Sequence, residues 1–206
     1  SKSLKDSSFC WIKVTYANMS NSREFLQFVG HGDNDYITFN QIYTYNKKRK
    51  KLNCINSFNT NASYQNEIVA ADKNYVTIHN SDQPAEVGWI SWNIPYKYSK
   101  GKLVAATTST TTVKSLIANN KKDKYSKYFA KNQFVTAKKL TFYNGSKVAY
   151  TVPKGKVVTL TKLSLSKDVI YLQFKYGKKT GWAHVNGTKY NFSKPWFQGV
   201  NARLAG

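Results

Sequence analysis

The sequence predicts a mainly β protein, built from small antiparallel barrels in tandem and one amphipathic connecting helix. Short runs of alternating apolar and polar residues predict strands, and these runs are rich in β-branched and aromatic residues. Turn signals separate the runs at intervals of roughly 8–12 residues, which is typical of small barrels. Of the 206 residues, 41% are apolar and 15% are aromatic, so the composition excludes simple disorder.

An internal repeat sets the expected size of each barrel. The stretches 11–40 and 157–186 align without a gap, and Leu-Gln-Phe occurs at both 26–28 and 172–174. A partial copy of the same pattern ends at 88–93. We therefore expect units of roughly 50 residues, the first of which lacks its opening strand.

The last copy shows the strand pattern most clearly. Along 157–162 the odd-numbered residues are expected on one face of a strand and the even-numbered ones, including Lys162, on the other. The stretch 176–179, Tyr-Gly-Lys-Lys, predicts a hairpin turn before a strand that carries Gly181-Trp182.

A helix is predicted over about 111–131. The Ser/Thr tract 107–112 can cap a helix start, and apolar residues from Val113 to Phe129 fall near one helical face with lysines mostly on the others. The predicted segments are 1–96, a near-neutral pair of barrels with the first truncated; 97–133, a linker that contains the helix; and 134–206, a strongly basic barrel with a C-terminal tail.

Charge is divided unevenly along the chain. There are 32 Lys and Arg against 10 Asp and Glu, a net charge of +22. Residues 1–86 hold 10 basic and 8 acidic residues, whereas 87–206 hold 22 basic and 2 acidic ones. Positive charge at this density destabilises a compact state unless a polyanion neutralises it, so the second half is predicted to bind one. A solvated lysine surface without a partner is the alternative.

The kind of basic residue indicates which class of polyanion the chain binds. Arg23, Arg49 and Arg203 are the only arginines. Arginine suits bidentate recognition of base edges and fixed phosphates, whereas lysine is a mobile point charge suited to a flexible, repetitive polymer. The composition therefore disfavours sequence-specific nucleic-acid recognition and leaves non-specific binding of single strands open.

Catalytic and metal chemistry is not expected. No two of the cysteines and histidines have metal-ligand spacing, and the ten scattered acids suggest no paired carboxylates, so we expect no enzyme, metal site or cofactor. Cys10 and Cys54 are expected to be either a disulfide or two semi-buried thiols. No apolar run approaches the roughly 20 residues that span a bilayer, so no membrane span is expected.

Two sets of motifs resemble bacterial surface modules. Gly88-Trp89 and Gly181-Trp182 each follow a polar turn, with Tyr36 at the corresponding place in the first copy, and resemble the closing strand of SH3-like wall-binding modules of the SH3b or GW type. A second likeness, over roughly 100–190, is to the cell-wall-anchoring region of S-layer and S-layer-associated proteins from lactobacilli. It is carried by Lys102–Ala106, Val113–Leu116, Tyr125–Phe129 and Phe134–Tyr143.

The resemblance implies tandem SH3-like barrels at the cell-wall surface of a Gram-positive bacterium. The implied role is extracellular and non-enzymatic: anchoring an S-layer or surface protein to teichoic acid, lipoteichoic acid or another anionic wall glycan. Other S-layer subunits are a further expected partner. The alternatives are a non-specific single-stranded nucleic-acid-binding protein and a lattice-forming or adhesive surface domain.

The candidate binding residues lie in the last module. Tyr176, at the turn, is the expected sugar-stacking residue, whereas Trp182 is expected to pack in the core first and to bind second. The predicted polymer-binding residues are Lys138, Lys139, Lys147, Lys154, Lys156, Lys175, Tyr176, Lys178, Lys179 and Trp182. A secondary basic face is predicted at Lys121, Lys122, Lys124, Lys127 and Lys131.

Overall fold

The protein is mainly β, as the sequence predicts. The computed structural model describes residues 9–19, 23–33, 36–58, 66–117, 124–166, 169–185 and 195–200. Within these ranges 66% of the residues lie in strands, and the sheets are antiparallel. In the described ranges none of the three sheets closes into a barrel, because each strand order ends at two open edges.

The strands form three sheets. The first has the order β1-β2-β3-β4, from Trp11–Met19, Arg23–His31, Ile37–Asn46 and Lys51–Ser57. The second has the order β10-β7-β6-β5 with β8 on β7, from β5 Glu67–Ala71, β6 Val76–Asp82, β7 Ile90–Ser99, β8 Lys102–Ala105 and β10 Val113–Ser115. The third has the order β11-β14-β15-β16-β12-β13, with β9 on β14. Its strands are β9 Ser109–Thr110, β11 Gln133–Val135, β12 Leu140–Asn144, β13 Lys147–Val152, β14 Val157–Ser166, β15 Val169–Tyr176 and β16 Lys179–Val185.

The chain divides into two compact units. The first unit is 1–80 with 94–107, and the second unit is 81–93 with 108–206, so β6 and β7 each pass from one unit to the other. These limits differ from the predicted limits at 96 and 133. The first unit has 13 basic and 6 acidic residues, and the second has 19 and 4. Most of the net charge, +15 of +22, therefore belongs to the second unit.

The helix predicted at 111–131 is wrong over its first part. Val113–Ser115 is strand β10, which pairs with β7 through Val113 and the buried Trp92. Helix α1 is only Ser126–Phe129, and positions 118–123 of the predicted helix lie outside the described residues. The run of three threonines and a valine that ends at Val113 is β-branched, which lowers helix propensity and suits a strand.

The first unit encloses an apolar core with a buried amide at its edge. Gln27 is fully buried; its Nε2 donates to Asn40 Oδ1 at 2.8 Å and to the carbonyl of Asn66 at 2.6 Å. Its Oε1 accepts from the Ile68 amide at 2.7 Å, so one side chain ties β2 and β3 to the start of β5. The buried core residues are Ala17, Met19, Phe25, Ile42, Ile55, Ile68, Val76, Ile78 and Leu103.

Aromatic rings hold the core of the second unit together. Phe134 lies 4.9 Å from Phe197 and 5.8 Å from Phe174, measured between ring centroids, and Phe174 lies 5.4 Å from Phe142. All four rings are at most 1% exposed. These rings come from β11, β15, β12 and residues 195–200, so distant parts of the chain pack into one aromatic core.

The two copies of the predicted repeat share their strand register up to Val14 and Leu160 but bury opposite faces. Val14 pairs with Phe28 in the first copy, and the aligned Leu160 pairs with Phe174 in the second. Leu160 and Phe174 are buried, whereas Val14 is 56% exposed and Phe28 only half-buried. Gln27 is buried, and the aligned Gln173 lies on the opposite, outer face. Because side chains alternate with period two, the same spacing can bury either face.

The ungapped alignment also fails at the third strand. Gln173 pairs with Trp182, whereas the aligned Gln27 pairs with Ile42. The structural counterpart of Trp182 is therefore Ile42, and the predicted equivalence with Tyr36 is wrong. The causes are a longer connection, with five residues between β2 and β3 against two between β15 and β16, one further strand pair at His31 and a β-bulge beside Gly30.

The two cysteines are separate free thiols, both exposed. Cys10 Sγ donates to Asp33 Oδ1 at 3.1 Å, and that hydrogen bond raises the pKa of the thiol. Cys54 lies on β4, opposite Tyr43.

Candidate functional site

In the described part of the second unit, every exposed charged side chain is a lysine. Its two described carboxylates belong to Asp82 and Glu86, which are 3% and 7% exposed. Asp123, Asp168 and Arg203 lie outside the described residues. With no exposed acidic side chain in this part of the unit, the lysines give its described surface a positive potential.

Two hairpin turns place basic residues at one end of the third sheet, called the hairpin end below. Tyr143 of β12 pairs with Trp182 of the antiparallel β16, so the turn at 145–146 lies at the same end as the turn at 177–178. Each turn begins with a glycine at positive φ, 60° and 58°, which suits a two-residue hairpin. The predicted hairpin at 176–179 is confirmed. The lysines of the hairpin end are Lys147, Lys175, Lys178 and Lys179, all exposed.

The two aromatic candidates of this hairpin lie on opposite faces of the sheet. Trp182 is half-buried on the outer face, which it shares with Lys175. Tyr176 points to the core side and stacks on Tyr150 with 6.3 Å between ring centroids. The expectation that Trp182 packs in the core is therefore wrong, and Trp182 is better placed than Tyr176 to meet a ligand.

The outer face carries a line of side chains across five strands, called the aromatic row below. Its pairings join Val148 to Tyr143, Tyr143 to Trp182, Trp182 to Gln173 and Gln173 to Lys162. Tyr143 is 42% exposed and Val148 62% exposed. The row combines two aromatic rings, an amide and an ammonium group, the combination that binds sugars or bases beside a phosphate.

Lys162 belongs to this row because of a β-bulge at Thr161. The register of β14 against β15 shifts between Leu160 and Lys162, so Lys162 pairs with Gln173 on the outer face and Leu163 is buried. Thr161 Oγ1 also donates to Gln173 Oε1 at 2.9 Å and so fixes the amide. Strict alternation placed Lys162 on the same face as Leu160, which is buried, and sequence reasoning therefore missed both Lys162 and Gln173.

A second group of lysines surrounds the buried Thr136. Thr136 Oγ1 donates to the Pro153 carbonyl at 2.7 Å and accepts from the Lys156 amide at 3.0 Å, and the Gly155 amide donates to the Thr136 carbonyl at 2.8 Å. These bonds fix the turn between β13 and β14 to the end of β11. The exposed lysines of this Thr136 group are Lys138, Lys139, Lys154 and Lys156.

The predicted secondary basic face is only partly described. Lys124, Lys127 and Lys131 are exposed around α1, and Lys121 and Lys122 lie outside the described residues. Lys124 Nζ lies 5.0 Å from the ring centroid of Tyr125, and Lys127 Nζ lies 5.4 Å from that of Tyr128. These ammonium groups therefore lie over aromatic faces of their own segment.

The two Gly-Trp dipeptides have different environments. Gly181 lies inside β16, where an added Cβ would come within 2.9 Å of Phe142 Cβ and 3.0 Å of Tyr150 Cε1. Gly88 precedes β7 and has a φ of 73°. Trp89, which follows it, is 45% exposed. The two dipeptides are therefore not structurally equivalent, and only Trp182 belongs to the aromatic row.

The described residues contain no group of three or more His, Cys, Asp and Glu side chains that could hold a metal ion. No helix in the described ranges has the length and apolar character needed to cross a membrane.

The fold and the site thus define a mainly β protein with a lysine-rich sheet surface that bears an exposed aromatic row. Comparison with protein-family models, curated proteins and solved structures found no match to the chain.

Proposed function

We propose that the chain is a non-enzymatic cell-surface module that binds anionic wall polymers of the teichoic-acid type through its second unit and so anchors a surface or S-layer protein. The observation that carries the proposal is the charge of that unit's described surface, where all exposed charged side chains are lysines. The expected location is the outside of a Gram-positive cell.

The lysines suit a flexible, repeating polymer. The hairpin end and the Thr136 group lie on turns fixed by sheet hydrogen bonds, and each contributes four exposed ammonium groups. A polymer with one phosphate in each repeat can follow such groups without a fixed conformation, releasing counterions as each phosphate is neutralised. Affinity then comes from many weak contacts and depends strongly on salt.

The aromatic row supplies the part of the affinity that does not depend on charge. Trp182 and Tyr143 pair across β16 and β12, and Lys175 lies on the same outer face two residues along from Gln173. A sugar or polyol unit packed on the rings would place its neighbouring phosphate within reach of an ammonium group.

The likeness to SH3-like modules belongs to the same proposal. It is supported by the path of the third sheet, in which β13 lies at one edge and β14 beside the other, yet only 153–156 join them. Such a short connection requires strong curvature of the sheet, as in small, partly open barrels.

The direct test is sedimentation with purified walls before and after chemical removal of teichoic acid. We expect binding to be lost after removal. The triple variant Lys175→Gln, Lys178→Gln, Lys179→Gln should weaken binding and make the slope of log affinity against log salt shallower by about 2, from about 0.7 per phosphate contact. The matched control is Lys47→Gln, Lys48→Gln, Lys50→Gln, which removes the same charge from an exposed turn of the first unit. Equal effects of the two triple variants would contradict the proposal.

Competition distinguishes a nucleic-acid ligand, because rings and lysines on a sheet also suit single strands. Oligonucleotide and wall polymer are added at matched phosphate and salt concentrations. We expect the wall polymer to displace the oligonucleotide, and the reverse order of affinities would favour the nucleic-acid alternative.

A further inference from the structure

The outer face of the first sheet is apolar and open to solvent. Val14 and Tyr16 on β1 are 56% and 58% exposed, and Tyr45 and Leu52 on β3 and β4 are 45% and 46% exposed. Strand pairing places these residues on the same face as Leu26 and Phe28 and opposite to the core residues of the unit. The apolar face, as named below, consists of the exposed Val14, Tyr16, Tyr45 and Leu52, the half-buried Ile12, Leu26 and Phe28, and the buried Tyr43.

In the second unit, the residues that align with part of this face are buried. Val14, Leu26 and Phe28 align with Leu160, Leu172 and Phe174. Those three counterparts are at most 2% exposed, and Phe174 is one of the rings of the aromatic core. The first unit instead buries the opposite face of the hairpin, around Gln27. It therefore leaves Val14 exposed and Leu26 and Phe28 half-buried, although their counterparts form a core.

We propose that a second copy of this chain covers the apolar face, sheet against sheet. Flat faces of β-branched and aromatic residues pack on one another in β-sandwiches, and a two-fold axis makes one such face complementary to itself. Among the described strands, Glu24 is the only charged residue that the pairing places on this face. Two copies therefore meet there with little like-charge repulsion, whereas the second unit, at +15, repels its own copy.

The two-fold arrangement also keeps the most basic turn of one copy's first unit away from the same turn of the other copy. The turn 47–50 between β3 and β4 carries four basic residues at one end of the apolar face. When two sheets pack with their strand directions opposed, these turns lie at opposite ends of the interface. Within the first unit, the longest segments outside the described residues are 1–8 and 59–65, and their composition argues against a cover by them, because they contain only Leu4 and Tyr64 as large apolar residues.

The area of the apolar face predicts that two copies associate weakly. Four strands about 4.8 Å apart, with open rows over about 20 Å, present about 400 Å². Two copies bury about 800 Å² in total, less than the roughly 1,200 Å² of a stable complex. Pairing is therefore reversible and concentration-dependent. It strengthens as salt screens the net charge of +22, the opposite of polymer binding.

Sedimentation velocity of the full chain over about a hundredfold range of concentration tests the pairing. We expect the average sedimentation coefficient to rise with concentration, and to rise further in high salt. The double variant Val14→Thr, Tyr16→Thr keeps strand-forming residues and should abolish the rise. Val69→Thr is the matched control, because Val69 is 52% exposed on β5, outside the apolar face, and it should leave the rise unchanged.

A native thiol gives a second measurement that needs no variant. Cys54 lies opposite Tyr43 at the border of the apolar face, whereas Cys10 precedes β1. The alkylation rate of Cys54 relative to that of Cys10 should fall as concentration rises. A chain that stays monomeric at every concentration and salt overturns the proposal. So does a Cys54 rate that is independent of concentration, whether fast, as on an uncovered face, or slow, as under a segment of the same chain.

Discussion

Among the described residues, Tyr150 is a tyrosine whose ionisation the fold strongly opposes. It is 5% exposed, its hydroxyl donates to the Phe174 carbonyl at 2.6 Å, and burial raises its pKa from 10.0 to about 12. Because the folded-state pKa is the higher one, the stabilisation from the neutral phenol is complete below pH 10.0 and is lost as pH rises to about 12.

We therefore expect Tyr150→Phe to change the alkaline limb of the stability curve. At neutral pH the variant should lose about 1 kcal/mol of unfolding free energy with its hydrogen bond. As pH rises to about 12, the wild type should lose up to about 2 kcal/mol more than the variant, since a phenylalanine cannot ionise. Urea unfolding at a series of pH values measures both effects, and parallel curves for the two proteins would show that Tyr150 has no part in alkaline unfolding.

Trp182 should contribute to polymer affinity without contributing to its salt dependence. A stacking ring adds about 1–3 kcal/mol for each unit packed on it, so Trp182→Ala should weaken wall binding by roughly 5- to 150-fold. The slope of log affinity against log salt should not change, because no charge is removed. Trp89→Ala is the control, since Trp89 is 45% exposed in the same unit but outside the aromatic row. Similar losses in both variants would mean that the row has no special role.

At the scale of the strand, two glycines of the last hairpin are required for different reasons. Gly177 has a φ of 58° and open space where a Cβ would lie, so Gly177→Ala costs only backbone strain, about 1 kcal/mol. In Gly181→Ala the new Cβ meets Phe142, Tyr150 and Ala149 within 2.9–3.1 Å, two of them core side chains of β12 and β13. Overpacking of this kind costs about 1–3 kcal/mol.

We expect thermal unfolding to rank the two variants, with Gly181→Ala the less stable. Gly181→Ala should also disturb the aromatic row, because the neighbouring Trp182 is displaced with its backbone. Wall binding by Gly177→Ala should stay close to that of the wild type. A lower melting temperature for Gly177→Ala than for Gly181→Ala would show that turn strain, and not packing under β16, controls this element.

The elements also show what sequence pattern can and cannot predict. Alternation correctly predicted a mainly β chain, and the turn residues correctly predicted the 176–179 hairpin, because both signals depend on residues that are neighbours in the chain. It could not predict which face is buried, since the two copies have the same spacing and opposite cores. The bulge at Thr161 and the pairing of Val113 with Trp92 depend on distant partners, so Lys162 was assigned to the wrong face and β10 to a helix.

Candidate lysines were easier to predict than candidate rings. Charged side chains are exposed on almost any scaffold, and all the described lysines of the predicted site are exposed. An aromatic ring can either pack in the core or contact a ligand, and the face of the sheet on which it lies decides which. Tyr176 and Trp182 are six residues apart across a turn, and only the strand register shows that they point to opposite sides.

At the scale of the whole molecule, the second unit is built from two separate segments of the chain, 81–93 and 108–206. Residues 81–93 belong to that unit and supply Val87, Ile90 and Trp92, each at most 1% exposed. They also supply the backbone partners of Leu116 and Trp196, through the carbonyls of Trp89 and Glu86. A fragment cut at the predicted limit near 96 therefore lacks part of the core it needs.

The two-segment make-up of the second unit gives a test of whether wall binding needs the folded unit or only its positive charge. Fragments 81–206 and 94–206 contain the same lysines and arginines, because 81–93 has none. We expect 81–206 to unfold cooperatively and to bind walls, whereas 94–206, which loses three buried side chains, should unfold without cooperativity. Circular dichroism on heating measures the first property and wall sedimentation at raised salt the second. If 94–206 is unfolded yet binds walls as tightly as 81–206 at every salt concentration, then charge alone accounts for affinity, and neither the hairpin end nor the aromatic row forms a site.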